Sequence, residues 1–373
     1  MRWVFWFAAA LVAYTYVGYA AWLWLRARFW PWPVMRGQEE PHVSIVLVVR
    51  NEERWLESKL RNLLTLDYPQ ERCEIVVVSD GSTDGTEKIL REFSHEPRIT
   101  VLLNQMPQGK ASGLNDAMAI ARGEVIVFTD ARQKIEPSAV RLLVQNFGDP
   151  EVGCVSGELM LGNPESGEAE RRMGLYWRIE KEIRELEAAS GSVIGATGAL
   201  YAVKRELLSS LPKGIILDDV YLPMQVVRGG KRIVFDPRAR AWDVSHMDAS
   251  REFDRKVRTL SGNYQLVQTL PWLLTRKNPV LFRFVSHKLL RLVVPFALAA
   301  VLVATISVSG FVYRIALILQ LLFYGLSVLA LLRLNWGPLG RLADASLTFV
   351  LLNTAAAVAF ANFVTGRKPA WGR

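Results

Sequence analysis

The apolar residues of this chain fall into three patterns, each confined to its own stretch. Trp3 to Leu25 carries no charged side chain, which suits a helix crossing a bilayer, for which about 20 apolar residues are needed. Trp3 and Trp6 at one end and Trp22 and Trp24 at the other match the aromatic belts of such a helix. A cleaved signal peptide is the alternative. Against it, only Arg2 precedes the run and no small-x-small cleavage site follows. From residue 42 the apolar runs are short and separated by polar tips, and near residue 289 long apolar stretches return. Three further spans are predicted there, at about 292–312, 315–332 and 345–363.

The middle stretch reads as alternating strands and helices. His42 to Val49, Glu74 to Ser79, Ile99 to Leu103 and, ending on its polar tip, Glu124 to Asp130 are short apolar runs of the kind that form strands buried on both faces. Between the first two, Trp55, Leu56, Leu60, Leu63 and Leu64 recur at helical spacing, and helices are predicted at about 85–93 and from Gly109 to about 121. Residues 42–130 are therefore β-α-β-α-β-α-β, half of a doubly wound sheet, with Asn51, Asp80, Gly109/Lys110 and Asp130 all at one end of it. Beyond lie a helix after Pro137, a strand over Val152–Leu161, a polar turn at 162–170 and an amphipathic helix over Arg171–Ala189. Gly195 to Tyr201 reads as small and turn-like, Ile215 to Val220 begins a helix, and Lys231 to Phe235 is the last strand.

Composition sharpens this picture. Apolar residues make up 51% of 373 residues and the mean hydropathy is +0.16, high for a soluble enzyme. The net charge is +9, and its excess lies beside the spans. Residues 250–291 hold Arg251, Arg255, Lys256, Arg258, Arg276, Lys277, Arg283, Lys288 and Arg291 among apolar residues, the pattern of interfacial amphipathic helices on an anionic leaflet. Within it His287 is expected to meet headgroups. Arg26, Arg28 and Arg36 follow the first span, so the positive-inside rule places the middle stretch in the cytoplasm. Arg333 and Arg341 fit an inside loop, whereas Arg367, Lys368 and Arg373 in the tail run against the bias. The expected division is a transmembrane helix at 1–28, a Pro-rich linker at 29–41, a cytoplasmic domain at 42–249, interfacial helices at 250–291, three spans within 292–366 and a tail at 367–373. Cys73 and Cys154 form no disulfide framework and no zinc set. A nucleic-acid partner would explain neither the spans nor the acidic strand tips.

Asp80, Asp84, Asp130 and Asp219 are the acidic candidates. A carboxylate at a strand tip can accept from a nucleobase or hold a divalent cation on two phosphates; the bland reading is an N-cap or turn. Four ordered motifs, Val43-Ser-Ile-Val-Leu-Val-Val-Arg-Asn-Glu-Glu53, Glu74-Ile-Val-Val-Val-Ser-Asp-Gly-Ser-Thr-Asp84, Gly109-Lys-Ala-Ser-Gly-Leu-Asn115 and Val127-Phe-Thr-Asp130, together resemble the inverting glycosyltransferases of family 2. The membrane-embedded branch of cellulose, chitin and hyaluronan synthases and ceramide glucosyltransferases is the most similar. The resemblance implies an α/β fold with a GT-A type (Rossmann-like) nucleotide-sugar-binding domain, a UDP-sugar donor and Mg²⁺ or Mn²⁺. It implies that Asp80 contacts the uracil, that Val49, Asn51 and Glu52 line the nucleotide pocket, and that Lys110 lies near the diphosphate. Asp130 matches the first carboxylate of the metal-holding Asp-x-Asp element. Asp219, preceded by Asp218, matches the catalytic base, and Gly195 to Tyr201 the segment facing the acceptor.

Two departures stand out. Arg132 replaces the second Asp of Asp-x-Asp, so the metal is held by Asp130 with other groups, or Arg132 neutralises phosphate itself; a solvated or acid-paired arginine is the plain alternative. The Gln-x-x-Arg-Trp motif of processive synthases is missing: Arg258 keeps the arginine, able to clamp diphosphate or merely face the membrane, but the Gln and Trp are gone. His246, too, is a candidate for approaching the diphosphate. The leading expectation is a plasma-membrane enzyme of bacterial type transferring one sugar to a lipid-linked or growing glycan acceptor on the cytoplasmic side. Its partners would be the UDP-sugar, the acceptor and membrane lipids, with a homo-oligomer or polysaccharide-export subunits as further candidates. The alternatives are a processive synthase that also translocates its product and a noncatalytic scaffold or glycan-binding subunit.

Overall fold

A computed structural model describes residues 1–162, 175–243, 249–332 and 338–367. The chain opens on helix α1 (Arg2–Phe29). Then come β1 (Val43–Val49), α2 (Glu53–Leu64), β2 (Cys73–Asp80), α3 (Thr86–Phe93), β3 (Ile99–Asn104), α4 (Lys110–Ile120) and β4 (Val125–Thr129). The second half brings β5 (Gln133–Ile135), α5 (Ala139–Gln145), β6 (Val152–Leu161), α6 (Leu175–Ala189), β7 (Leu200–Lys204), α7 (Asp218–Arg228) and β8 (Arg232–Asp243). The carboxy-terminal part is α8 (Ala249–Thr269), α9 (Leu281–Ser307), α10 (Phe311–Leu331) and α11 (Pro338–Val364).

The strands form one sheet in the order β3-β2-β1-β4-β7-β6-β8-β5. The first four are parallel, and their unbroken apolar sequence is explained by cover on both faces. Ile45 and Leu47 point to one core with Leu56 and Leu60 of α2, while Val46 and Val48 point to the other with Leu114 and Ala117 of α4. This is the two-residue period of a strand sandwiched between helices. All four parallel strands therefore deliver their carboxyl ends, and their polar tips, to one rim.

Two expectations change here. The segment expected to be turn-like up to Tyr201 leads into strand β7, which inserts antiparallel between β4 and β6. Glycine and alanine at 195–199 hide it in the sequence, because its apolar part is only Leu200–Val203. The last strand runs to Asp243 rather than ending at Phe235. Asp236-Pro237-Arg238 looks like a stop, but the ladder shifts register between Ser156 and Glu158, and such a bulge tolerates a proline.

The Pro-rich linker is fastened to the domain. Trp32 N donates to Ala189 O at 2.7 Å and Gly37 N to Gln145 O at 2.8 Å. Arg232 donates to Trp32 O and Pro33 O, both at 2.9 Å, and pairs with Asp149 at 2.7 Å, with both charged side chains about 5% exposed or less. Removing one partner of a buried pair costs about 3–5 kcal/mol. Arg232→Met is expected to lower the melting temperature of the full chain by about 6–12 °C; an unshifted transition would show that the clamp contributes nothing.

Among the described residues four helices are long and apolar enough to cross a membrane: Arg2–Phe29, Leu281–Ser307, Phe311–Leu331 and Leu339–Val364. The second starts earlier than the sequence predicts, so residues 281–291, expected to be interfacial, open a candidate span. Among them, His287 and Arg291 pair with carboxylates of α6. His287 is 3% exposed, with its ring nitrogens 2.9 Å from Glu187 and 3.0 Å from Glu180, and Arg291 reaches Glu180 at 2.7 Å.

Candidate active site

The rim is built from loops that hold one another. Asn51, just past β1, adopts φ 54°, a left-handed conformation that asparagine tolerates better than most residues. Its side-chain oxygen accepts Thr83 N at 2.8 Å, while its own N–H reaches Ser82 Oγ at 3.2 Å. Glu52 N donates to Thr86 Oγ1 at 2.9 Å and Glu53 Oε2 accepts Gly85 N at 2.7 Å. The tip of β1, where Val49 is buried, and the Asp80-Gly-Ser-Thr-Asp84 turn thus form one unit.

Asp80 is 0% exposed. Its two oxygens accept Gln108 N at 2.7 Å and Gly109 N at 2.9 Å. The carboxylate that the resemblance assigns to the nucleobase is engaged in fixing the loop that launches α4, and Gly109, at φ 95°, supplies the backbone that lets this loop turn.

That loop places Lys110 at the centre of the acidic residues. Its ammonium lies 3.1 Å from Asp130 Oδ1 and 3.3 Å from Asp218 Oδ2. Burial works to lower the Lys110 pKa, but Asp130, Asp218 and Asp219 outweigh it and hold the amine above the ordinary lysine value. Asp219 opens α7 beside Asp218, and its Oδ2 accepts Gly198 N at 3.2 Å. A methyl group at Gly198 would lie 3.4 Å from that oxygen and 3.8 Å from Asp130 Oδ2, so strands β4 and β7 and the start of α7 bring both carboxylates to one point. The segment before β7 is held there by Ala196 N donating to Asp219 O at 2.8 Å. Burial, then repulsion from Asp218, push the Asp219 carboxyl up to about 6, with Lys110 and Lys288 opposing.

Arg132 is acid-paired. It contacts Glu52 at 3.2 Å, bridging the tips of β1 and β4. Arg258 sits half-buried on α8 and, among the described residues, makes no hydrogen bond or ion pair with Asp130, Asp218 or Asp219. Its helix still supports the site, since Gln265 Oε1 accepts Ile216 N at 2.9 Å just before Asp218. His246 and residues 163–174 lie outside the described residues.

One residue escaped the sequence reading. Lys59, on the buried face of α2 and 2% exposed, donates to Thr129 Oγ1 and Gln133 O, both at 2.8 Å. These two acceptors flank Asp130-Ala-Arg132, so the ammonium braces that turn from beneath. Burial brings the Lys59 pKa down to about 7, with attraction to Asp130 opposing. The one available signal was its position between Leu56, Leu60 and Leu63 on an apolar helix face, where a lysine has to find a partner.

Among the described residues no three His, Cys, Asp or Glu side chains form a ready-made metal cage. The protein offers Asp130, whose side chain is 40% exposed. One exposed carboxylate suits a hard divalent cation shared with substrate phosphates rather than enclosed by protein.

Comparison with known proteins places this geometry. The sequence model of the family described as "Glycosyl transferase family 2" matches residues 44–211. A "Probable glycosyltransferase YdaM" of Bacillus subtilis is 28% identical over 243 residues, 62% of this chain and 57% of that protein. A "Poly-beta-1,6-N-acetyl-D-glucosamine synthase" of Staphylococcus epidermidis is 24% identical over 234 residues, 62% of this chain and 56% of that protein. The chain thus spans just over half the length of these curated relatives. The solved structure of the mannosyltransferase PcManGT from Pyrobaculum calidifontis, in complex with GDP-Man and Mn²⁺, superposes with a TM-score of 0.74 at 24% identity, covering 98% of this chain and 99% of that one. The shared fold is the GT-A arrangement with accompanying apolar helices. Asp130 and Lys110 of the rim lie within the stretch that the family 2 glycosyltransferase model matches, and Asp219 lies just beyond it.

Proposed function

We propose that the chain transfers a sugar from a nucleotide-sugar donor, with inversion, to a lipid-linked or growing glycan acceptor at the cytoplasmic face of the membrane. The observation that carries this reading is the convergence of Asp219 Oδ2 and Asp130 Oδ2 on the space beside Gly198, with Lys110 bridging Asp130 and Asp218. Inversion needs one base on the face opposite the leaving group. Asp219 fills that role: it takes the acceptor hydroxyl proton as the new bond forms at the anomeric carbon and the bond to the nucleoside diphosphate breaks. Lys110 meets the charge gathering on the departing diphosphate. Asp218 adds to burial in raising the Asp219 carboxyl and adds to Asp130 in holding the Lys110 amine charged. A Mg²⁺ or Mn²⁺ ion held by Asp130 would neutralise the diphosphate further. Val49, Asn51 and Glu52 shape the nucleotide side, with Arg132 held by Glu52 and Asp80 acting through the Gln108–Gly109 loop. Arg258 takes part only by reaching the diphosphate when donor binds.

The donor is read as a UDP-sugar from the motif resemblance, whereas PcManGT carries GDP-Man. Purified protein offered UDP- and GDP-sugars with Mn²⁺ or Mg²⁺ and a membrane lipid extract is expected to release UDP and yield a single lipid adduct by product mass. Release of GDP alone would reassign the donor. The polysaccharide synthase among the relatives keeps the processive reading in view, and a ladder of products would establish it. No observation favours a noncatalytic scaffold.

Lys59 adds a check on the Asp130 turn. Lys59→Met fills a similar volume but leaves Gln133 O without its donor. It is expected to lower kcat/KM for the donor about 10- to 100-fold, the scale of a small misplacement at a reacting centre. Unchanged donor kinetics would show that the turn holds itself.

A further inference from the structure

Helix α8 grips the chain just ahead of the proposed base. Residues 211–217 lead into α7 and contain a sharp turn at Gly214, whose φ is 73°. α7 starts directly afterwards with Asp218 and Asp219, and Leu217 at its N-cap makes no side-chain hydrogen bond that would fix the first turn. The direction in which Asp219 enters the site therefore depends on what holds the loop.

Two carboxamides hold it. Asn115 of α4 accepts from Leu211 N at 2.8 Å and donates to Leu211 O at 2.9 Å. Gln265 of α8 accepts from Ile216 N at 2.9 Å and donates to Gly214 O at 2.8 Å. A primary amide offers an acceptor and a donor side by side, which matches a backbone N–H and C=O on the two flanks of Ile215. Close packing keeps α8 in register with the loop. A methyl group at Gly262, three residues before Gln265, would lie 2.6 Å from Leu217 Cγ and 3.1 Å from Ile216 Cγ2, so helix backbone and loop side chains touch. Tyr264, next to Gln265, stacks on Phe363 of α11 with ring centroids 4.8 Å apart. The helix that carries the amide is thus itself braced against a candidate membrane span. The Gly214 contact lies at the surface, where water can replace it, so the pair adds little to stability. What it fixes is direction.

The geometry points to Gln265 as a positioning residue for sugar transfer: its carboxamide sets the entry of α7 so that Asp219 Oδ2 reaches the space beside Gly198 that Asp130 shares. This role rests on the reading of Asp219 as base. On the opposite side Asp219 is tied to Gly198 N by its carboxylate and to Ala196 N by its carbonyl. A loop released from Gln265 would pull against both contacts.

The test uses the purified full chain with the donor and lipid extract that give nucleotide release in the wild type. Gln265→Met keeps the volume and loses both hydrogen bonds. It is expected to lower kcat about 10- to 100-fold, the scale of a small misplacement at a reacting centre, with the donor KM and the Kd for the nucleotide unchanged. The melting temperature should stay within about 2 °C of wild type. Burial is the largest cause of the raised Asp219 carboxyl, so a loosened loop that admits water should move the acid limb of the pH profile to lower pH. Gln268→Met, at an exposed position three residues along the helix, should leave all of these as in the wild type. A double-mutant cycle carries the decision: in the Asp219→Asn background, Gln265→Met should cost nothing further. Unchanged kcat in Gln265→Met, an equal loss in Gln268→Met, or the same loss repeated in the Asp219→Asn background would each overturn the assignment. Normal turnover in Asp219→Asn alone would instead remove the base reading, and this role with it.

Discussion

Replacing Asp219 with asparagine is expected to cut sugar-dependent UDP release about 100- to 10,000-fold, the usual worth of a general base, while UDP binding stays measurable. The substitution preserves shape and the acceptor for Gly198 N–H, so the loss reports proton transfer rather than collapse of the loop. The wild-type profile carries a second signature. Burial and the neighbouring Asp218 push the Asp219 carboxyl up to about 6, and only its ionised form can accept a proton. kcat/KM is therefore expected to climb as pH rises from 5 to 7, with its midpoint near 6, then to level off. That limb should vanish in the asparagine variant. Turnover that survives the substitution would remove Asp219 from the base role.

Lys110→Met ranks second in expected effect. The wild-type ammonium lies among Asp130, Asp218 and Asp219, and removing it leaves three neighbouring carboxylates with no cation between them. Donor affinity should fall because a diphosphate now faces uncompensated negative charge, and turnover should fall because the leaving group loses its counter-charge. A combined loss in kcat/KM of about 100- to 1,000-fold matches removal of one such electrostatic contact. The direction of the pH change is fixed as well: without a nearby positive charge, carboxylate ionisation becomes harder, so the acid limb should move to higher pH. Lys110→Arg should restore part of the activity. A variant with normal donor affinity and an unmoved limb would mean that Lys110 only holds the loop.

The parallel half of the sheet was legible because β1 to β4 are covered on both faces, and continuous burial writes continuous apolar sequence. Their common rim followed from the order of elements, so the sequence alone brings Asp130 and Lys110 together. Strand β7 was not legible, since its pairing partners β4 and β6 lie far away in sequence and its approach is made of glycine and alanine. Arg132 was ambiguous for a related reason: its partner Glu52 lies eighty residues earlier, and no local pattern reports such a pair. Asp80 shows the opposite situation. A motif identifies the residue, but whether its oxygens face ligand or backbone depends on the Gln108–Gly109 loop. The partners of His287 and Arg291 were not legible, because composition counts charges without their partners, and those partners stand on α6.

The strapping of residues 32–37 to the domain has a mechanical consequence. A loose tether would let the catalytic domain rise and tilt over the bilayer and sample acceptors at many heights. Here the segment between the first apolar helix and the sheet is pinned by Arg232, Ala189 and Gln145, so the helix is tied directly to the sheet. With that helix set in a bilayer and Asp219 as the proposed base, the height of Asp219 above the hydrocarbon boundary would be a fixed gauge, favouring acceptors whose reactive hydroxyl stands at that height.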